Sequence, residues 1–215
     1  MTIAVLGGTG PEGLGLAARL AAAGHEVVVG SRLTERAVAA AATLGPEVPA
    51  GRVRGAVNCD AAEAAEILVV AVPLKGLGDL FAACATAVEG KIVLEVVNAL
   101  RVEAGVFRAV HPEEGSVGAR IAARVPSARV VSGLKHVSAA NLRAIGRRLE
   151  GDVLLCGDDD AAKGVVADLV RGMPDLRPID AGGLTMAPLL DDVTALLLNL
   201  NRRHGTETSL RIVGL

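Results

Sequence analysis

The run Ile3-Ala4-Val5-Leu6-Gly7-Gly8-Thr9-Gly10-Pro11-Glu12-Gly13, followed by Val27-Val28-Val29-Gly30-Ser31-Arg32, constrains this chain more than any other stretch. It reads as an apolar strand, a glycine-rich loop, a helix and a second strand. In Gly8-x-Gly10-x-x-Gly13 the glycines divide three tasks: a tight turn, close approach of backbone to a pyrophosphate, and close packing of helix on strand. A helix starting here aims its first amides and its dipole at phosphates. Pro11 suits a first turn, where its missing N–H costs nothing, and Leu14, Ala17, Ala18 and Ala21 make one apolar stripe at helical spacing. The bland alternative is a structural glycine turn in some other α/β protein. The strand before and the helix and strand after favour a dinucleotide site whose loop is Gly8, Thr9, Gly10, Pro11, Glu12 and Gly13.

The end of the second strand discriminates between dinucleotides. An NAD site usually places an Asp or Glu roughly 20 residues past the loop to bind the ribose 2′-hydroxyl. This chain has Ser31 and Arg32 instead. A carboxylate would repel the 2′-phosphate of NADP, whereas a guanidinium binds it through charge-assisted hydrogen bonds. Arg36 follows at i+4, on the same face if a helix begins near Thr34. The alternative is that both arginines are solvated surface charges; NADP is favoured.

With 215 residues, 51% of them hydrophobic, the chain can bury on the order of 70% of its unfolded surface in one domain or a little more. The net charge of -2 leaves no electrostatic footprint for nucleic acid or an anionic membrane. There is no Trp or Tyr, and Phe81 and Phe107 are the only aromatics, so a bound ring must rest on aliphatic side chains and peptide planes. Cys59, Cys84 and Cys156 fit neither a disulfide framework nor a zinc site; they are expected to be small core residues in a reduced compartment. No signal peptide is read at the N-terminus, and Asp191-Asp192 interrupts the most apolar tract, 187–200, so it is not expected to span a bilayer. A cytoplasmic protein is expected.

After an alanine-rich helix ending near Leu44, Arg52 to Val57 reads as a short strand. Ile67 to Val72 is an unbroken apolar strand of the kind buried on both faces in a parallel sheet, closed by Pro73. Helix 76–88 and strand 91–97 continue the alternation, which argues for a doubly wound sheet. The strand ends Val72-Pro73 and Val97-Asn98 are expected beside the glycine loop. Asn98 is a donor to a carboxamide or phosphate, or a turn residue. Strand 129–134 leads into Lys135-His136-Val137-Ser138-Ala139-Ala140, where His136 is the best candidate for a functional histidine, against a structural one. Asp158-Asp159-Asp160 precedes a helix, so N-capping is preferred over a metal. The pattern restarts at Asp152, and a helix from Ala187 to about Arg203 offers a dimer surface, or else core. Residues 1–150 are expected to form a Rossmann-like, doubly wound parallel α/β domain, and 151–215 a small C-terminal α/β extension packed on it for substrate and dimer contacts.

The chain resembles the NADPH-dependent reductases of the deazaflavin coenzyme F420. The resemblance rests on Val5-Leu6-Gly7-Gly8-Thr9-Gly10, Val29-Gly30-Ser31-Arg32, Pro112-Glu113-Glu114-Gly115-Ser116, Val137-Ser138-Ala139, Cys156-Gly157-Asp158-Asp159, Asp180-Ala181-Gly182, Leu196-Leu197-Leu198-Asn199 and Arg211-Ile212-Val213-Gly214-Leu215. It implies NADP phosphates on Thr9, Gly10 and the loop backbone, with the 2′-phosphate on Thr9, Ser31, Arg32 and Arg36. It also implies a nicotinamide near Val137 and Ala139, a deazaflavin stacked on it and bordered by the segment around Leu210, and a cytoplasmic homodimer. Leu134-Lys135-His136 stands where the family commonly carries a histidine or an aromatic-histidine pair, so the ring-facing wall is expected to bear an ammonium.

Hydride transfer between two cofactor carbons asks the protein for orientation and exclusion of water. No obligate acid or base is expected; Lys135 or His136 is the candidate to stabilise charge developing on the deazaflavin. The rival readings are an NADP-dependent reductase of a small carbonyl or imine, with Lys135 or His136 as proton donor, and a non-enzymatic NADP-binding protein.

Overall fold

A computed structural model describes residues 1–49 and 52–215. Its first half alternates as β1 (Thr2–Leu6), α1 (Pro11–Ala22), β2 (Glu26–Ser31), α2 (Thr34–Ala42), β3 (Val53–Val57), α3 (Asn58–Glu63), β4 (Ile67–Val70), α4 (Leu77–Val88) and β5 (Ile92–Glu95). A hairpin of β6 (Leu100–Glu103) and β7 (Val106–Ala109) follows, then α5 (Val117–Arg124), β8 (Arg129–Ser132), α6 (Ala139–Arg143), β9 (Gly151–Gly157), α7 (Asp160–Arg171), β10 (Leu176–Asp180) and α8 (Ala187–His204). Eight strands make one sheet in the order β10-β9-β8-β5-β4-β1-β2-β3. Neighbours run parallel except β8 and β9, which are antiparallel through Val131↔Gly157 and Ser132↔Cys156.

β1 and β4 read as apolar runs, as does β5 up to Glu95, because both faces of the sheet are covered. Ile3, Val5, Val69 and Leu94 face one core with Leu16 and Leu20 of α1, Leu142 of α6 and Leu169 of α7. Ala4, Leu6, Val70 and Val93 face the other with Phe81 of α4, Ile121 of α5 and Leu190 of α8. The chain order reverses between β1 and β4, which opens a crevice at the carboxyl edge there. β9 and β10 continue this sheet, and Val153 and Leu155 enter the first core. Asp159 caps α7, accepting from the Ala162 N–H at 2.8 Å. Among the described residues no helix is long and apolar enough to cross a membrane.

The cysteine expectation needs correction. Cys59 and Cys84 form a disulfide, with Cα atoms 5.0 Å apart; only Cys156 is free, and it is buried. Both bonded residues belong to helices packed side by side on one face of the sheet, α3 and α4, so two thiols separated by 25 positions meet through tertiary packing that their spacing does not reveal.

Candidate cofactor site

The glycine loop joins β1 to α1 at the crevice. Its turn is closed by the Gly8 N–H, which donates to Val5 O at 3.0 Å and to Gly30 O at 2.9 Å. Gly7 has φ +73°, and a Cβ there would lie 2.5 Å from Val72 Cγ1, so the loop and the end of β4 touch as expected. A Cβ on Gly13 would lie 2.6 Å from Gly8 Cα, which is the close packing assigned to the third glycine. By contrast, a Cβ on Gly10 would meet nothing within 4 Å: it would project into open space at the amino end of α1, where a phosphate group needs room. Asn58, unremarked in the sequence, accepts from the Gly7 N–H at 3.1 Å through Oδ1 and fixes the loop from the start of α3.

Ser31 ends β2 and is buried, while Arg32 and Arg36 are exposed, Arg36 in the first turn of α2. Neither guanidinium joins an ion pair among the described residues, the nearest acidic neighbour in sequence being Glu35. This leaves two cations beside a buried hydroxyl at the edge of the crevice, an arrangement that fits a phosphate dianion.

The far wall comes from strand ends. Val72 is buried and Pro73 and Asn98 are exposed. Asn98 Nδ2 donates to Lys135 O at 2.8 Å, linking the segment after β5 to that after β8. Val137 and Ala139 are half-buried at the start of α6. The sequence pattern missed what seats α6: Arg19 of α1, 2% exposed, donates to Asn141 O at 2.8 Å and to Leu142 O and Ile145 O at 2.9 Å. A guanidinium thus satisfies the orphan carbonyls at the end of a short helix. A charged residue within an apolar helix face was the available signal.

Lys135 does not supply an ammonium to the wall. Leu134 adopts φ +58°, and this left-handed residue turns the next side chain inward. Lys135 Nζ lies 3.1 Å from Glu95 Oε2 and 3.2 Å from Asp191 Oδ1, and it donates to Val97 O at 3.0 Å. Its side chain is excluded from solvent, so it cannot touch a bound ring. His136 is also reassigned. Its Nε2 lies 2.7 Å from Asp152 O, and because a carbonyl only accepts, Nε2 carries the proton. Burial lowers the imidazole pKa, so the ring is neutral and Nδ1, buried without a partner, is an acceptor. His136 therefore offers no positive charge to a developing anion.

Beside His136 lies a cavity of about 360 Å³, lined also by Val137, Asn141, Arg148 and Leu210. Asn141 Oδ1, on this wall, is buried and unpartnered as well. The C-terminal segment is held across the rim. Asp152 accepts from Arg177 Nε at 2.8 Å, Arg177 Nη2 at 2.7 Å and the Ile212 N–H at 2.6 Å, and its N–H donates to Leu210 O at 2.8 Å. These bonds hold the Asp152 carboxyl down to about 2, the Arg177 contact being the largest cause. Leu210 and Val137 both line this cavity.

A family model described as "NADP oxidoreductase coenzyme F420-dependent" matches residues 2–99. The F420-dependent NADP reductase of Methanothermobacter marburgensis is 36% identical over 95% of this chain and 94% of its own length. That of Methanocaldococcus jannaschii is 32% identical over 100% of this chain and 99% of its own. The crystal structure of a candidate F420-dependent NADP reductase from Arthrobacter sp. FB24 has a TM-score of 0.84 at 30% identity, covering 100% of both chains. Kinship at this level over the whole length, on a fold whose glycine loop, Ser31 and Arg32 occupy one crevice, places this chain in the coenzyme F420-dependent NADP oxidoreductase family.

Proposed function

We propose that this chain transfers a hydride between NADP(H) and the deazaflavin coenzyme F420. The observation that carries this reading is kinship with F420-dependent NADP reductases over 95% of the chain at 36% identity. Gly8 to Gly13 would hold the pyrophosphate, the open space at Gly10 admitting it. Thr9, Ser31, Arg32 and Arg36 would hold the 2′-phosphate. Val72, Pro73, Asn98, Val137 and Ala139 would bound the nicotinamide, and the cavity between His136 and Leu210 would take part of the deazaflavin. When bound, the two cofactors supply the hydride donor and acceptor carbons. The chain orients them and excludes water; with Lys135 locked in the interior and His136 neutral, no side chain is assigned as an acid or base.

Residues 1–150 would serve NADP, and 151–215 the second substrate and self-association. Homodimerisation is supported by exposed Leu189 and Leu196 on α8 and Met186 just before it, with Val102 and Val106 on the neighbouring hairpin. Asn199 ties that hairpin to α8, accepting from the Phe107 N–H at 2.9 Å and donating to Phe107 O at 2.9 Å. A cytoplasmic site is supported by the use of reduced soluble cofactors and opposed by the Cys59–Cys84 disulfide; rapid alkylation of intact cells, reading the thiol state of both, decides between them.

The test of function mixes the protein with NADPH and oxidised F420 and follows loss of deazaflavin absorbance, with NADH as control. Bleaching with NADPH alone is expected. Bound NADPH without bleaching would overturn the assignment of acceptor.

A further inference from the structure

The hydrogen-bond ladder around β5 ends where the crevice begins. Its last rungs are the Val96 N–H on Val70 O at 3.3 Å and the Gly133 N–H on Glu95 O at 3.1 Å. Beyond them, Val97 and Ala99 remain buried on either side of exposed Asn98. Buried backbone groups need partners, and here ionisable side chains supply them. The Val97 N–H donates to Glu95 Oε1 at 2.6 Å, and Val97 O accepts from Lys135 Nζ at 3.0 Å. The Ala99 N–H donates to Asp191 Oδ1 at 3.3 Å. Asp191 stands one turn into α8, is 0% exposed, and pairs with Lys135 at 3.2 Å. Between these anchors, Asn98 Nδ2 donates to Lys135 O at 2.8 Å, so the segments after β5 and after β8 are tied to each other as well.

We propose that Asp191 is a positioning residue: by holding the Ala99 N–H and the Lys135 ammonium that binds Val97 O, it fixes the wall of Asn98 and Val137 against the nicotinamide ring. This rests on the cofactor placement given under Proposed function. Asp191 is sealed in the interior and acts through the backbone on either side of Asn98. Displacing reacting carbons by about 1 Å slows a reaction steeply. A wall pinned at three backbone groups cannot shift that far without breaking a buried, charge-assisted hydrogen bond.

Asp191→Ala removes the Ala99 contact and leaves Lys135 paired with Glu95, so the interior keeps a balanced pair. Asp191→Asn keeps an oxygen that accepts from the Ala99 N–H. Amide hydrogen exchange of the cofactor-free protein reads the clamp directly. In Asp191→Ala, exchange at Ala99 should speed about tenfold, as expected for one lost hydrogen bond to a charged group. The Gly8 amide, bonded to Val5 O and Gly30 O, should not change. Single-turnover hydride transfer from NADPH to oxidised F420 should slow about tenfold or more, with binding of 2′-phospho-ADP-ribose, which lacks the nicotinamide, unchanged. Asp191→Asn should bring exchange and transfer back to within about threefold of wild type. Unchanged exchange at Ala99, equal acceleration at Gly8, fast exchange at Ala99 without slower transfer, or no recovery in Asp191→Asn would overturn the proposal. A wild-type protein that binds neither NADPH nor 2′-phospho-ADP-ribose, or that binds NADPH and leaves F420 unreduced, would overturn the proposed function, and the positioning role with it.

Discussion

Lys135 Nζ sits 3.1 Å from Glu95 Oε2, with both side chains fully excluded from solvent. Asp191 of α8 makes the second contact of the ammonium, at 3.2 Å, and Ser132 Oγ donates to Glu95 at 2.8 Å. Burial raises the carboxyl pKa of both Glu95 and Asp191, and the cation between them opposes that shift. Lys135→Ala would leave two carboxyl groups facing each other in an apolar interior, and breaking a buried pair in this way costs about 3–5 kcal/mol. Urea unfolding at neutral pH should show that loss. Adding Glu95→Gln should restore part of it by removing one of the stranded charges; no recovery would refute the electrostatic account.

The fate of Lys135 shows where sequence reading stops. β1, its loop and α1 were legible because each glycine task and the apolar periodicity are local. Ser31, Arg32 and Arg36 were legible because strand length and helix period place them. The resemblance implies Lys135 on the wall, because Leu134-Lys135-His136 stands where the family commonly carries a ring-facing histidine. One left-handed residue, Leu134, reverses its direction, and its partners Glu95 and Asp191 lie 40 and 56 positions away along the chain. The disulfide and the Arg19 contacts to α6 escaped for the same reason: each depends on which helices become neighbours. The β6–β7 hairpin escaped because its strands are short and largely exposed, giving no clear alternation to read.

Arg32 and Arg36 should decide cofactor choice. Both are exposed and outside any ion pair among the described residues, so the 2′-phosphate would be their main electrostatic partner. Replacing both by Ala should raise the KM for NADPH about thirtyfold, a loss of about 2 kcal/mol in charge-assisted hydrogen bonding. The KM for NADH should hardly move. Steady-state kinetics with each cofactor checks this, and an equal rise for both would mean that the arginines do not read the 2′ position.

Glu12 makes the cofactor-free protein sensitive to pH in a defined direction. Burial raises its carboxyl from 4.5 to about 8, so the folded state holds a proton that the unfolded chain releases. The contribution of the neutral acid is fully present below 4.5 and is lost as pH rises through about 8. The full span corresponds to a cost on the order of 5 kcal/mol. Stability measured by denaturant should therefore decline across this window in wild type, and Glu12→Gln should flatten the decline. An identical slope in the variant would show that Glu12 is not the group responsible.

Asp152 and Arg177 hold the C-terminal segment across the cavity, and the latch is independent of Glu12. Arg177 donates to the Asp152 carboxylate and also to Ile212 O at 2.7 Å, so one guanidinium joins β9, β10 and the tail. Asp152 is depressed from 3.8 to about 2; its contribution is present above 3.8 and is lost as pH falls through about 2. Arg177→Ala removes the bidentate contact at every pH, leaving Asp152 with only the Ile212 N–H. The tail around Leu210 should then become sensitive to limited proteolysis near neutral pH, where the wild-type tail resists. Because Leu210 borders the cavity assigned to the deazaflavin, the variant's KM for F420 should rise about tenfold, as expected for loss of one wall of a preorganised site. The KM for NADPH should stay near wild type, since the glycine loop and Ser31 lie outside the latch. If both constants rose together, the tail would be bracing the whole crevice, and a specific role at the second substrate would be refuted.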